Sequence, residues 1–185
     1  TLPIIKMIED KIFIIGFNKC GTQSLHDYFE SNGYTARHWD RGQLANTVFR
    51  NAEKGIPVMT GYENIKVFSD MEEFLRQKFA YMTYFREMER DYPKAKFIYN
   101  NREVEGWIRS RNNHQDNYYI NKTCEMLNMT KEEVNDKWRR EHKEHYENVV
   151  KYFEDKPGKL VIFDIEHDTI DKINDFFPEL NLKSE

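Results

Sequence analysis

Two short stretches of this 185-residue chain bring together residue types that could hold an anion. In Gly16-Phe17-Asn18-Lys19-Cys20-Gly21-Thr22-Gln23-Ser24, a glycine-flanked turn with an internal lysine separates an apolar run from a helical pattern. Free backbone N–H groups and the positive end of a helix then converge on one point, the natural seat of a phosphate or sulfate. The loop departs from the nucleotide triphosphatase pattern GxxxxGK followed by Ser or Thr, because Thr22 and Gln23 follow Gly21 and the lysine stands inside the loop. The hydroxyl that would bind Mg²⁺ is missing, so the loop suits a donor that needs no metal.

The second stretch is Asn101-Arg102-Glu103-Val104-Glu105-Gly106-Trp107-Ile108-Arg109-Ser110, where Arg102 follows a strand-like run and Ser110 comes eight positions later. A planar guanidinium and a hydroxyl at that separation can close on one phosphate. The competing use of Arg102 is a surface salt bridge to Glu103 or Glu105.

Together the two stretches resemble the sulfotransferase family that uses 3′-phosphoadenosine 5′-phosphosulfate (PAPS). Members carry a phosphate loop of the form KxGTTS and a strand-helix unit with Arg and Ser at this spacing; Lys19 through Ser24 read KCGTQS. The run Leu160-Val161-Ile162-Phe163-Asp164-Ile165 is similar to the family's last sheet strand. The resemblance implies an α/β fold of the P-loop nucleotide-hydrolase kind, a parallel sheet between two helical layers. It also implies PAPS as donor and PAP (3′-phosphoadenosine 5′-phosphate) as product. Lys19, Cys20, Gly21, Thr22, Gln23 and Ser24 would lie at the donor's 5′ end, and Arg102 and Ser110 would hold its 3′-phosphate. Gln23 replaces a usual threonine, Ser24 stands where many cytosolic members have an aromatic residue, and no late glycine-rich basic loop follows, so no residue is assigned to the adenine.

In-line sulfuryl transfer builds charge on the departing phosphate oxygen, which Lys19 and the loop amides would stabilise. An acceptor hydroxyl also needs a base, which many family members supply from the segment before the long helix. Here that segment ends in Ser69-Asp70. Asp70 is the first candidate, against capping of the helix expected to begin there. His114 is a second candidate, and His38 ends a strand on the same side of the sheet. His142 and His145, beside Glu141 and Glu144, have the spacing of half a metal site but no third ligand, so they read as a solvated face. Cys20, at a helix N-terminus beside Lys19, reads as loop packing for want of a base partner.

These residues need elements to position them. The run 11–16 is apolar on both faces, as a buried parallel strand is. A helix is expected over 22–32, a strand over 34–38, a helix over 42–53 and a short strand over 65–68. Met71, Phe74, Leu75, Phe79, Met82, Phe85 and Met88 mark a long helix ending near Tyr92-Pro93. A strand over 96–100, helices over 103–111 and 134–153, a strand over 159–163 and a helix over 170–177 complete the alternation. Such an order implies a parallel sheet with helices on both faces and ligands beyond the strands' carboxyl ends. Residues 1–185 are expected to form a single domain. The stretches 40–62 and 112–130 are expected as loops walling an acceptor pocket for a small molecule or a carbohydrate, and the tyrosines of Asn117-Tyr118-Tyr119-Ile120 could stack on a ring or equally pack against the long helix.

Composition narrows the function classes. A net charge of −4 argues against a general nucleic-acid partner. Only two cysteines occur, which points to a reducing compartment rather than a disulfide framework. No run approaches the roughly 18 apolar residues of a membrane span, so the expectation is a cytoplasmic protein, or a Golgi-lumenal one if an upstream anchor preceded Thr1. Sequons at Asn121 and Asn128 would matter only in the second case. Two other functions fit the loop: a Mg²⁺-dependent nucleotide kinase using Asp70 or Asp164 as metal ligand, and a binding module without catalysis.

Overall fold

In Ile12-Phe13-Ile14, successive side chains point to opposite faces of a strand, and all three are buried. Phe13 joins one core and Ile12 and Ile14 the other, so a layer must lie on each side. The computed structural model describes residues 7–184; the ends of the expected 1–185 domain fall outside it. Strands β1 (Ile12–Ile14), β2 (Ala36–His38) and β3 (Val67–Ser69) are followed by a two-stranded hairpin, β4 (Glu72–Glu73) and β5 (Lys78–Phe79), then β6 (Lys96–Asn101) and β7 (Leu160–Asp164). The helices are α1 (Thr22–Ser31), α2 (Gln43–Glu53), α3 (Ala80–Thr83), α4 (Phe85–Asp91), α5 (Val104–Asn113), α6 (Tyr118–Leu127), α7 (Lys131–Phe153) and α8 (Asp171–Phe176).

The main sheet has five parallel strands in the order β2-β3-β1-β6-β7, with Phe13 level with Phe68 and Phe97. Leu25 and Phe29 of α1 and Ile173 of α8 cover one face. Leu44 and Val48 of α2, Phe85 of α4, Trp107 of α5 and Trp138, Val149 and Phe153 of α7 cover the other. This is the three-layer α/β arrangement expected. From β1 the chain goes to the edge strand β2, returns to β3 beside β1, then crosses to β6 and β7 on the other side, so the topological switch lies at β1 and the crevice for a ligand opens at its carboxyl end. No helix among the described residues is long and apolar enough to cross a membrane.

The long helix expected through Met71 to Met88 is broken. Asp70 and Gln77 have φ near +52° and +51°, outside the helical region, and residues 72–79 form the β4–β5 hairpin, with Gln77 in its turn. Apolar residues three and four apart fit this path as well as a helix stripe, but they point different ways. Phe74 stacks on Tyr119 with ring centroids 4.1 Å apart, whereas Leu75 is exposed. No helix starts at Asp70, so it caps none. The stretch 112–130, expected as loop, holds α6, whose Tyr119, Ile120 and Thr123 are buried. Helix α7 begins three residues earlier than expected, because Thr130 and Glu133 form a reciprocal capping box.

Candidate functional site

The loop after β1 is held by its carbonyls. Asn100 at the end of β6 accepts from Gly16 N through Oδ1 at 2.7 Å and donates through Nδ2 to Phe17 O at 3.3 Å and Cys20 O at 2.9 Å. Trp107 Nε1 donates to Asn18 O at 2.9 Å, and Arg102 Nη1 donates to Lys19 O at 3.2 Å. Four consecutive carbonyls, 17 to 20, are thus turned into the protein. The first-turn N–H groups of α1, which lack intrahelical partners in any helix, lie at the other end of this turn. Gly21 caps α1 with φ +75°, where a Cβ would also press on Ile165 at 3.1 Å, so a residue without one is needed.

The two stretches singled out from the sequence are therefore one unit. A cleft of about 420 Å³ is lined by Lys19, Arg102, Gly106, Arg109, Ser110, Asn113, His114 and Gln115, with no carboxylate among them. Arg109, on α5 and seven residues after Arg102, was not foreseen. Arg102 pairs with neither Glu103 nor Glu105. Glu103 caps α5 by accepting from Glu105 N and Gly106 N, Glu105 binds Arg139, and the nearest carboxylate to Arg102 Nε is Glu166 at 3.7 Å. Thr22 is buried, Ser24 is exposed, and Gln23 is engaged with Asp27 Oδ1 at 2.8 Å. Burial pushes the Cys20 thiol up to about 12, so it packs the loop as an uncharged group.

A second cleft of about 370 Å³ adjoins the first through His114 and Gln115. Trp39, Phe74, Leu75, Tyr118 and Tyr119 form its apolar wall, and Asp70 and Glu72 reach into it. Burial, then the charges of Lys19 and Arg111, hold His114 below the usual imidazole range. His38 Nδ1 lies 2.8 Å from Ser69 Oγ and its Nε2 3.6 Å from Asp70 Oδ2. Burial and the neighbouring His26 push its imidazole down to about 4. Burial, with Glu72 alongside, raises the Asp70 carboxyl well above the usual carboxylate range. The Asp164 carboxylate is committed to its own turn, accepting from Glu166 N at 2.9 Å and His167 N at 3.2 Å.

Glu72, Asn18, Asn100 and Arg111 carry the interior of the site, and sequence reading passed over all four. Arg111 is 1% exposed, its guanidinium 4.2 Å from the Trp107 ring centre and 4.8 Å from that of Trp138, with Nε donating to Asn18 Oδ1 at 2.8 Å. The available signal was Trp107 and Arg111 four apart on one helix face, and a lone asparagine ending an apolar strand.

His142 and His145 face inward, contrary to the solvated face expected. His142 Nε2 lies 3.0 Å from Arg102 O, and His145 Nε2 lies 2.7 Å from Ile15 O. Helix α7 thereby props the ends of β1 and β6 from which the loop and Arg102 extend. His145 is 4% exposed, and burial lowers its imidazole to about 4. Its unfolded value is near 6.5, so the unfolded chain binds the extra proton between those limits. Stability from this group is complete above about pH 6.5 and falls as pH drops toward 4. The expected loss between about pH 7 and pH 5 is about 2 kcal/mol, read as a lower urea midpoint, and His145→Gln should flatten that dependence. An unchanged slope in the variant would remove His145 as its source.

The model of a family described as a sulfotransferase domain matches residues 11–179 of the chain. No curated protein matches it significantly.

Proposed function

Because the chain belongs to the sulfotransferase-domain family, we propose that it moves a sulfuryl group from PAPS to a hydroxyl or amine of a small-molecule or carbohydrate acceptor. The observation that carries the choice of donor is the cleft where Lys19, Arg102, Arg109 and Ser110 meet without a carboxylate. Two further features fit a phosphorylated nucleotide. Gly106 leaves the floor beside the arginines open, since a Cβ there would press on Glu103 Oε2 at 3.3 Å and touch Arg109 Nη2 at 3.6 Å and Arg102 Nε at 3.7 Å. Arg102 Nε is buried and makes no hydrogen bond among the described residues, so a group whose oxygens accept there would satisfy it.

When bound, PAPS supplies an activated sulfuryl group and a phosphate leaving group. Lys19 and the N-terminal amides of α1 bind the 5′ end and stabilise charge on the leaving oxygen. Backbone of Cys20 and Gly21, with Thr22, Gln23 and Ser24 at the start of α1, completes that end of the cradle. Arg102 and Ser110 hold the 3′-phosphate, with Arg109 beside them. The aromatic wall of the adjoining cleft takes the acceptor and sets it next to Lys19, as in-line attack requires. Asp70 takes the acceptor's proton, and His114, where the clefts meet, is a second group able to hold one.

The test is calorimetric titration of the wild type with PAP, with adenosine 5′-phosphate, and with ADP with and without Mg²⁺. Arg102→Ala is expected to weaken PAP binding about 10- to 100-fold, the scale of a lost charge-assisted contact, and adenosine 5′-phosphate binding by less, through loss of its hold on Lys19 O alone. Tighter binding of ADP with Mg²⁺ than of PAP would make the protein a kinase-type phosphotransferase instead.

A further inference from the structure

Asp70 alone makes a poor base. Its burial beside a second carboxyl favours the neutral acid, and a neutral carboxyl has no free electron pair of useful basicity. The surroundings of Glu72 resolve the difficulty. Glu72 is 3% exposed, and its Oε1 and Asp70 Oδ1 are buried atoms without a donor among the described residues. The two residues are neighbours across a tight turn, Glu72 N donating to Asp70 O at 2.8 Å, and both line the second cleft. Two ionised carboxylates only accept, so both atoms are left orphaned; one proton between them satisfies both. The outer atoms have other neighbours, since Tyr119 donates its hydroxyl to Glu72 Oε2 at 3.2 Å and Asp70 Oδ2 lies 3.6 Å from His38 Nε2. The buried Arg111 guanidinium supplies one positive charge to balance a pair carrying one negative charge.

We propose that Asp70 and Glu72 share a single proton and work as one unit, Asp70 the catalytic base that touches the acceptor and Glu72 the buried positioning residue that receives the displaced proton. This deepens the sulfotransferase reading and rests on it for the reaction, though not for the shared proton. The step balances. The acceptor oxygen forms its bond to sulfur while the bond from sulfur to the 5′-phosphate oxygen breaks. The acceptor's proton passes to Asp70 Oδ2, and the proton on Asp70 Oδ1 moves to Glu72 Oε1. The pair goes from one negative charge to none, and the electron pair of the broken bond leaves with PAP. His38 faces Asp70 Oδ2 from β2 and can return the proton to water. The other groups facing the pair are Arg111 from α5, Tyr81 from α3, Tyr119 from α6 and Lys19 from the loop.

The experiment is a pH titration of side-chain carboxyls by ¹³C NMR on the wild type, Asp70→Asn and Glu72→Gln, paired with conversion of PAPS to PAP using water or phenol, which keeps its proton at neutral pH, as acceptor. Both substitutions keep shape, and asparagine tolerates the positive φ at position 70 as aspartate does. In the wild type one carboxyl proton is expected to persist through neutral pH, and either substitution should abolish it. Conversion should fall about 10²-fold or more in Asp70→Asn and at least about tenfold in Glu72→Gln, with PAP affinity unchanged in both. Independent titration of the two carboxyls in the ordinary range overturns the proposal. So does a Glu72→Gln enzyme as fast as the wild type, or a wild type that binds PAP yet converts no PAPS. Failure of PAP to bind at all would instead overturn the donor reading, and the titration would still decide the shared proton.

Discussion

Lys19→Ala is expected to slow sulfuryl transfer by about 10²- to 10³-fold, the range for removing one group that stabilises charge only in the transition state. The thermal midpoint should barely move. Lys19 has φ +61°, so its backbone already carries the left-handed strain that alanine would carry too. Its carbonyl stays on Arg102 Nη1, and its side chain is only half-buried, which limits the stability change to about 0.5 kcal/mol. The measurement is the initial rate of PAP formation beside a circular-dichroism melt. A variant that folds normally and transfers at the wild-type rate would take Lys19 out of the mechanism, whereas one that melts early would show that the loop depends on the side chain itself.

The largest effect on stability is expected at Gly16. A Cβ there would come within 2.1 Å of Asn100 O and 2.4 Å of Asn100 Oδ1. The first atom is backbone of an interior strand, and the second accepts from Gly16 N, so neither can yield without parting β1 from β6. Gly16→Ala should cost about 3 kcal/mol or more, at the severe end for overpacking. It should also weaken PAP binding, because Asn100 releases the carbonyls of Phe17 and Cys20 when it moves. Denaturant unfolding monitored by tryptophan fluorescence checks the first part and calorimetry the second. A variant of wild-type stability would mean that β1 and β6 are not held this closely.

Legibility followed the range of the interaction that decides each feature. Strand β1 and helix α1 were readable because burial on both faces and a 3.6-residue stripe are local patterns. The stretch from Met71 to Met88 was misread because its spacing satisfies a helix. What breaks the helix is the left-handed turns at Asp70 and Gln77 and the docking of Phe74 on Tyr119, 45 residues away in sequence. Helix α6 was missed because its buried side is short and set among polar residues. His142 and His145 were misread because their partners are backbone carbonyls of Arg102 and Ile15, and a carbonyl leaves no mark in a sequence.

By itself the sequence determined the class of the fold and that the lysine loop and Arg102 meet at one edge of the sheet. A strand, a glycine-bounded loop with one lysine and a helix can hardly do other than aim N–H groups and a cation at one point, and an arginine after the next long strand of a parallel sheet must arrive at the same edge. Only the tertiary structure decided what surrounds that point. Asn100, Trp107 and Arg102 hold the loop through its carbonyls, Arg109 adds a third cation, and Glu72 is buried in a hairpin that lines the second cleft together with Asp70. The reason is physical. Backbone propensity and hydrophobic period act over a few residues and are written locally, whereas the pairing of buried polar groups depends on which distant segments meet when the core closes.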